Sequence, residues 1–173
     1  MASFRKHGDF RKLSGAWALE GDVRFKKART SSKFRLDLTD EKEGQSLVPT
    51  VRMKVDAYPY LLAPLKPNQE PAQLKTPIES GGFLAGMFLL HRLFTTGEQS
   101  FTDFYYGGYE PFYPPSVDGK TPPSLASLRV DCEVLNTRLG PYTAKWFFAR
   151  SDSKLLGFEV RLSDEEDPCE VYL

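Results

Sequence analysis

Apolar and polar residues alternate along the last third of the chain, which reads AKWFFARSDSKLLGFEVRLSDEEDPCEVYL. Alternation with a period of two is typical of half-buried β-strands, and turn-forming residues interrupt it at 151–154 and 164–167. The strands predicted from this pattern cover residues 128–138, 142–150, 154–163 and 168–173. We expect them to pair antiparallel in chain order. Because the last apolar face begins only at Cys169, we expect the final strands to be truncated and the edge at 168–173 to be open to pairing with another chain.

The same alternation marks three strands nearer the N-terminus. They cover residues 15–26, 33–38 and 51–57. Residues 1–14 form a basic leader without such a pattern, and we expect them to be poorly ordered. The remaining residues, 15–173, are enough for one well-buried core and too few for two ordinary domains. A single domain is therefore predicted.

Two proline-rich segments interrupt the strand pattern, at residues 58–77 and 110–124. The first of them contains five prolines. Proline lacks a backbone N–H and does not fit regular ladder or helix hydrogen bonding, so both segments are predicted to be loops. The aromatic-rich residues 101–109 lead into the second loop.

One helix is predicted between the two loops. Thr76 can cap it, Pro77 suits its first position, and Glu79 stands where a capping box needs a carboxylate. The segment up to Phe94 is apolar on nearly every side, as expected of a helix packed between a sheet and another layer. Gly97 is predicted to end the helix.

The order of these elements predicts an α+β fold that is mostly β. About eight antiparallel strands should twist into one curved sheet, an open half-barrel, with one main helix packed on its concave face. We expect an apolar groove between this helix and the sheet. Its candidate ligand-binding residues are Trp17, Phe25, Leu36, Met53, Phe83, Leu84, Met87, Phe88 and Leu90. Ordinary core packing is the alternative explanation for the same side chains.

Composition and charge exclude several classes of protein. The chain of 173 residues is 40% hydrophobic and carries 23 basic and 23 acidic side chains. Residues 1–35 hold ten basic and three acidic side chains, whereas residues 151–173 hold two basic and seven acidic ones. No arginine and aromatic pattern of a nucleic-acid reader accompanies this asymmetry, so nucleic acid is not an expected partner. No apolar run of about eighteen residues is present, so no transmembrane segment is expected.

The N-terminus bears on the compartment of the protein. Its sequence, MASFRKHGDFRKLSG, lacks the apolar stretch that follows the basic region of a signal peptide. Read literally, the chain is expected in the cytoplasm. If the chain is part of a longer precursor, an exported or periplasmic location is expected instead.

Side chains for nucleophilic catalysis are few. The histidines are His7, in the leader, and His91, on the predicted helix. Ser80 stands in the stretch IESGGF, which resembles the glycine-rich turn around a trypsin-like serine. His91 would lie about 16 Å along the helix from Ser80, so the two cannot act there as base and nucleophile. We therefore expect no catalytic residue.

Metal binding and disulfide formation are not expected either. The cysteines and histidines lack the short pairwise spacings of zinc sites, and the acidic run at 164–167 lacks the ligand pattern of a calcium loop. Cys132 and Cys169 would lie about 14 Å apart if the strands pair in chain order, whereas a disulfide needs Cα atoms within about 7 Å. The expectation is two free thiols, no metal and no cofactor.

Three segments resemble a domain of certain bacterial exported proteins. They read LSGAWALEGDVRFKKARTSSKFRLDL, DFYYGGYEPFYPP and AKWFFARSDSKLLGFEVRLSDEEDPCEVYL. Together they are similar to the LolA and RseB type of envelope half-barrel, most closely to versions appended to secreted trypsin-like or HtrA-type serine proteases. The resemblance covers most of residues 13–173. It implies a curved sheet with helices on its concave face, which binds lipid acyl chains in the carriers and senses partners or lipids in the regulators, and it implies no catalytic residue.

The sequence thus predicts a non-catalytic binding or accessory module. Its apolar groove would take a lipid-like ligand, such as an acyl chain, or a partner peptide. One alternative is a fragment of a secreted serine protease whose catalytic part lies elsewhere. The other is a purely structural domain whose helix only fills the core.

Overall fold

A computed structural model describes residues 16–23, 30, 32–43, 46–56, 58–61, 81–114, 124–165 and 167–173 of the chain. The strands in these ranges are β1 (Trp17–Val23), β2 (Ser32–Glu43), β3 (Ser46–Val55), β4 (Tyr58–Leu61), β5 (Asp103–Phe112), β6 (Val130–Leu139), β7 (Tyr142–Ala149), β8 (Leu155–Arg161) and β9 (Cys169–Tyr172). The main helix is α1 (Gly81–Thr95), and short 3-10 helices cover Gly97–Ser100 and Leu125–Leu128. The predicted class, α+β and mostly β with one main helix, is confirmed.

The strands form two antiparallel sheets. Strands β1 to β4 make a four-stranded sheet in chain order, and strands β5 to β9 make a five-stranded sheet in chain order. The predicted antiparallel pairing of the C-terminal strands is therefore confirmed, and neither sheet closes into a barrel. The described residues thus hold nine strands in two sheets, where alternation alone indicated about eight in one.

The first proline-rich segment does not begin as a loop. Residues Tyr58–Leu61 form strand β4, in which Pro59 lies opposite Lys54 of β3. Strand β4 is at the edge of its sheet, where a strand needs only half of its N–H groups for pairing and proline is tolerated. The second segment also starts in a strand, because β5 runs to Phe112 and includes Pro111. Residues 62–80 and 115–123 lie outside the described residues.

Helix α1 ends where the sequence predicts. Its last residue is Thr95, and Gly97 follows with a φ of 70°, a backbone conformation that suits glycine. The predicted capping residues Thr76, Pro77 and Glu79 lie outside the described residues, as do residues 1–14. The prediction for the C-terminal end of the helix is confirmed, and the prediction for its start stays open.

The core of the protein surrounds α1. Residues 84–91 of the helix are all buried, because the helix packs against β3 of one sheet and against β7, β8 and β9 of the other. One apolar cluster joins helix residues with Leu36 and Met53 from the first sheet and with Trp146 and Phe158 from the second. The buried indole Nε1 of Trp146 donates a 2.9 Å hydrogen bond to Oγ1 of Thr137. A helix apolar on nearly every side is therefore covered on both sides, as its sequence indicates.

Candidate functional site

The residues predicted to line an apolar groove are brought together as packed side chains. Six of them are at most 5% exposed, namely Leu36, Met53, Leu84, Met87, Phe88 and Leu90. Trp17 and Phe83 are half-buried at the margin of the same cluster, where Trp17 lies 5.0 Å from the ring of His91 and Phe83 lies 5.9 Å from the ring of Phe34. Phe25 lies outside the described residues. The structure therefore shows these eight residues as one core cluster, and their binding of a lipid-like ligand stays a prediction.

A different aromatic surface lies on strand β5, whose sequence is DFYYGGYEPF. The register between β5 and β6 shifts between Tyr106 and Gly108, and Gly108 has a φ of 90°. Such a β-bulge inserts one extra residue and reverses the alternation beyond it. As a result Tyr106 and Tyr109, three residues apart, lie on the same side of the sheet.

This side of the sheet is the one that faces the helix. Tyr106 lies opposite Leu135 of β6, which packs against the apolar cluster around α1, the main core. Tyr109 lies opposite Glu133, which is two residues before Leu135 on β6 and therefore on the same face. Tyr106 and Tyr109 are nevertheless 58% and 61% exposed. We call the helix-facing side of the sheet its inner face. On β5 this inner face is accessible at Tyr106 and Tyr109.

Polar groups surround the two tyrosines. Their rings meet edge to face at 6.1 Å, and the guanidinium carbon of Arg150 lies 4.3 Å from the ring centre of Tyr109. Desolvation, the hydrogen bond between the two tyrosine hydroxyls and the nearby carboxylate of Glu133 raise the pKa of Tyr106 to about 12. We call Tyr106, Tyr109, Glu133 and Arg150 the tyrosine patch.

The opposite, outer face of the five-stranded sheet carries two rows of cross-strand polar partners. One row consists of Asp103, Arg138, Thr143 and Arg161. The other consists of Tyr105, Asn136, Lys145 and Glu159. Together with Asp164 they line an open cavity of about 320 Å³, which we call the polar depression.

Ion pairs hold two of the long side chains in the polar depression. Arg138 Nε lies 3.3 Å from a carboxylate oxygen of Asp103, and Lys145 Nζ lies 2.9 Å from one of Glu110. Partial burial raises the pKa of Glu159, and the carboxylates of Glu170 and Glu110 add to this effect, while Lys145 opposes it. The depression is therefore a balanced set of acidic and basic groups and not a field of one sign.

The other half of the outer face is apolar. Phe112, Cys132, Val134 and Phe147 form a second buried cluster there. Burial raises the pKa of the Cys132 thiol to about 11 and raises that of Cys169 as well. Both cysteines are free thiols, as the sequence predicts.

Strand β8 departs from simple alternation. The alternation places Leu156 on the same face as Phe158, but a register shift between Phe147 and Phe148 sets Leu155 opposite Phe148. Leu155 packs against the main core, and Leu156 packs against the outer cluster. The irregularity in β7 and β8 is the physical reason, since alternation assumes an unbroken ladder.

Of the candidates for nucleophilic catalysis, the described residues include His91. His91 is 2% exposed in the core beside Trp17, whereas His7 and Ser80 lie outside the described residues. Within the described ranges no group of three or more His, Cys, Asp or Glu side chains is placed to hold a metal ion. Among the same residues, no helix combines the length and hydrophobicity needed to cross a membrane.

Comparisons with protein-family models, with characterised proteins and with solved structures give no match to this chain. The resemblance to envelope half-barrels therefore stays a prediction. Sequence reasoning noted residues 101–109 as aromatic-rich but assigned them no role. The signal that could have identified the tyrosine patch is the Gly107 and Gly108 pair between tyrosines, since glycine inside a strand pattern indicates a bulge.

Proposed function

We propose that this chain is a non-catalytic binding module that holds a segment of a partner protein against the tyrosine patch. The observation that carries the proposal is the exposure of Tyr106 and Tyr109, 58% and 61%, on the helix-facing side of the sheet. Tyrosine supplies a large contact area at a low cost in conformational entropy, and Tyr and Arg are enriched among residues that dominate binding energy. The proposal also keeps the expectation, drawn from the half-barrel resemblance, that partners bind on the concave side.

Rigid support favours a binding role for these tyrosines. They project from the middle of β5, which is paired with β6 on both sides of the bulge. Arg150 adds a cation over the ring of Tyr109 and thereby restricts it. A surface held in one arrangement loses little entropy on binding, so more of its contact energy appears as affinity.

The polar groups of the patch favour a polypeptide over an acyl chain. An acyl chain that covered the patch would bury the tyrosine hydroxyls, Glu133 and Arg150 without offering them hydrogen bonds, which is costly. A peptide offers N–H and C=O groups to the same side chains. The partner that fits this chemistry is therefore a peptide with apolar or aromatic side chains and an accessible backbone.

The partner is expected to bind through side chains and not as an additional strand. Strand β5 is an edge strand, and an added strand would pair with its free backbone N–H and C=O groups. The bulge at Gly107 and Gly108 and the proline at 111 interrupt the row of these groups. Bulges and prolines are known to protect edges from such pairing. We therefore expect the partner segment to contact the rings of the two tyrosines and not the backbone of β5.

Selection from a library of displayed random peptides tests this proposal. The peptides are selected on the wild-type chain and then measured on two variants, the double variant Tyr106→Ala/Tyr109→Ala and the control Tyr105→Ala. Tyr105 is a matched control because it is 60% exposed on the same strand but points to the outer face. We expect the double variant to lose at least about tenfold in affinity and the control to keep the wild-type value.

Two further experiments separate the alternatives. Saturable uptake of a fluorescent fatty acid, abolished by Met87→Asp, would favour the predicted lipid-like ligand over a peptide. Covalent labelling of Ser80 by a fluorophosphonate probe would contradict the non-catalytic part of the proposal. Selected peptides that bind the double variant as well as the wild type would contradict the placement of the site.

A further inference from the structure

The polar depression is a second surface on the opposite face of the sheet from the tyrosine patch. Basic and acidic side chains balance in it, with Arg138, Lys145 and Arg161 against Asp103, Glu159 and Asp164. A site for an ion would carry an excess of the opposite sign. The charge pattern therefore favours a ligand without net charge.

The hydrogen-bonding groups of the depression alternate between donors and acceptors. Three of these groups lie side by side in one row. The amide of Asn136 donates and accepts hydrogen bonds, the ammonium of Lys145 donates them, and the carboxylate of Glu159 accepts them. Thr143 in the neighbouring row also donates and accepts. A hydroxyl group does both as well, so several hydroxyls in a row match this arrangement better than a single carboxylate or ammonium group does.

An aromatic ring stands at one end of the same row. Tyr105 is 60% exposed and lies directly across the ladder from Asn136. The face of an aromatic ring carries a partial negative charge and attracts the polarised C–H groups on the flat side of a sugar ring. Tyr105 and Asn136 together thus offer a stacking surface beside a hydrogen-bonding group.

The site is held in place before any ligand arrives. All of its residues except Asp164 project from four neighbouring strands, β5 to β8. The ion pairs from Arg138 to Asp103 and from Lys145 to Glu110 restrict two of its longest side chains. Side chains that are already restricted lose less entropy on binding.

We propose that the polar depression binds a neutral carbohydrate, with one sugar ring on Tyr105 and its hydroxyls hydrogen-bonded to Asn136, Lys145 and Glu159. The cavity of about 320 Å³ lies at the lower end of the range for small-molecule sites, which suits one or two sugar rings. This proposal does not depend on the partner-binding function, because the two surfaces lie on opposite faces of the sheet.

A glycan microarray with neutral and acidic oligosaccharides tests the proposal, followed by saturation-transfer NMR on the neutral glycan that binds best. We expect binding by the wild-type chain and by Tyr105→Phe, which keeps the ring, and a loss of at least about tenfold in Tyr105→Ala. Tyr113→Ala is the control and should bind as the wild type does, since Tyr113 is also an exposed tyrosine but does not line the depression.

Three results would overturn the proposal. The first is no binding to any neutral glycan by the folded wild-type chain. The second is equal binding by Tyr105→Ala. The third is a preference for acidic glycans, or for the zwitterionic dipeptide glycylglycine in a competition arm, because either would mean that the depression selects charge. If no peptide is selected but a neutral glycan binds, the proposal for the tyrosine patch is contradicted and the proposal for the polar depression is not. The two proposals can therefore be rejected independently.

Discussion

The ring of Phe112 on β5 reaches Gly157 on β8, where an added Cβ atom would lie 2.7 Å from Cζ of Phe112. Two strands separate β5 from β8 in the sheet. Phe112 covers this distance on the outer face by stacking on Phe147 of β7, with ring centres 4.8 Å apart, and its ring lies 5.6 Å from that of Tyr172 on β9. One aromatic side chain therefore ties an edge strand to the far half of its sheet.

Gly157→Ala should destabilise the protein, because the new methyl group would also lie 2.5 Å from the backbone oxygen of Val171. The backbone of β9 cannot turn away as a flexible side chain can. We expect a loss of about 1–3 kcal/mol in the free energy of unfolding, as for other overpacked sites, measured by urea denaturation. An unchanged urea midpoint would contradict the close approach of β8, β9 and Phe112.

Thr137→Val should also destabilise the protein, because it removes the acceptor of the buried Trp146 indole. A buried donor left without a partner costs about 1–3 kcal/mol. Thr143→Val is the matched control, since Thr143 is a β7 threonine on the outer face of the same sheet and should change the free energy of unfolding by less than about 0.5 kcal/mol. Equal losses in the two variants would show that the hydrogen bond contributes nothing.

The stability of the fold should fall in alkaline solution. Folding raises the pKa of Cys132 from 9.0 to about 11 and those of Tyr106 and Tyr172 from 10.0 to about 12. The unfolded chain therefore loses these protons first, and their contribution, complete below about pH 9, is lost as the pH rises towards about 12. Thermal melts in this range should show a falling melting temperature, with a smaller fall for Tyr172→Phe. A constant melting temperature would contradict the raised pKa values.

Glu159→Gln should stabilise the protein at neutral pH. Burial raises the pKa of Glu159, so ionisation of this carboxyl costs more in the folded than in the unfolded state, and that cost is present once the pH lies above the raised pKa. The melting temperature of Glu159→Gln should exceed that of the wild type at pH 7, and the difference should shrink as the pH is lowered below the ordinary carboxyl range. A variant less stable than the wild type at pH 7 would mean that attraction to Lys145 outweighs the burial.

The C-terminal meander was predictable because its signals are local. Apolar alternation and the turn after Ala149 define β7 and β8, and the hairpin closes with a 2.8 Å hydrogen bond from the N–H of Ala149 to the carbonyl of Lys154. Neighbouring strands joined by short turns pair with each other, so chain order gives the sheet order. The division into two sheets depends on contacts between distant segments, which alternation does not report.

The tyrosine patch was not predictable from alternation. A period of two places Tyr106 and Tyr109 on opposite faces, and only the bulge between Tyr106 and Gly108 brings them to one side. Likewise, the apolar character of Met87 and Phe88 does not tell whether they line a groove or fill the core. The sequence identifies which side chains are apolar, and the packing of α1 between two sheets decides that these are core.

Isothermal titration calorimetry with one display-selected peptide measures directly whether a partner segment binds the exposed tyrosines on the helix-facing side of the sheet. The wild-type chain is compared with Tyr109→Ala and with Tyr105→Ala, which alter side chains of similar exposure on opposite faces of β5. We expect a loss of about thirtyfold in affinity for Tyr109→Ala, as for a hot-spot residue, and no change for Tyr105→Ala. Equal affinities for the wild type and Tyr109→Ala would contradict this expectation.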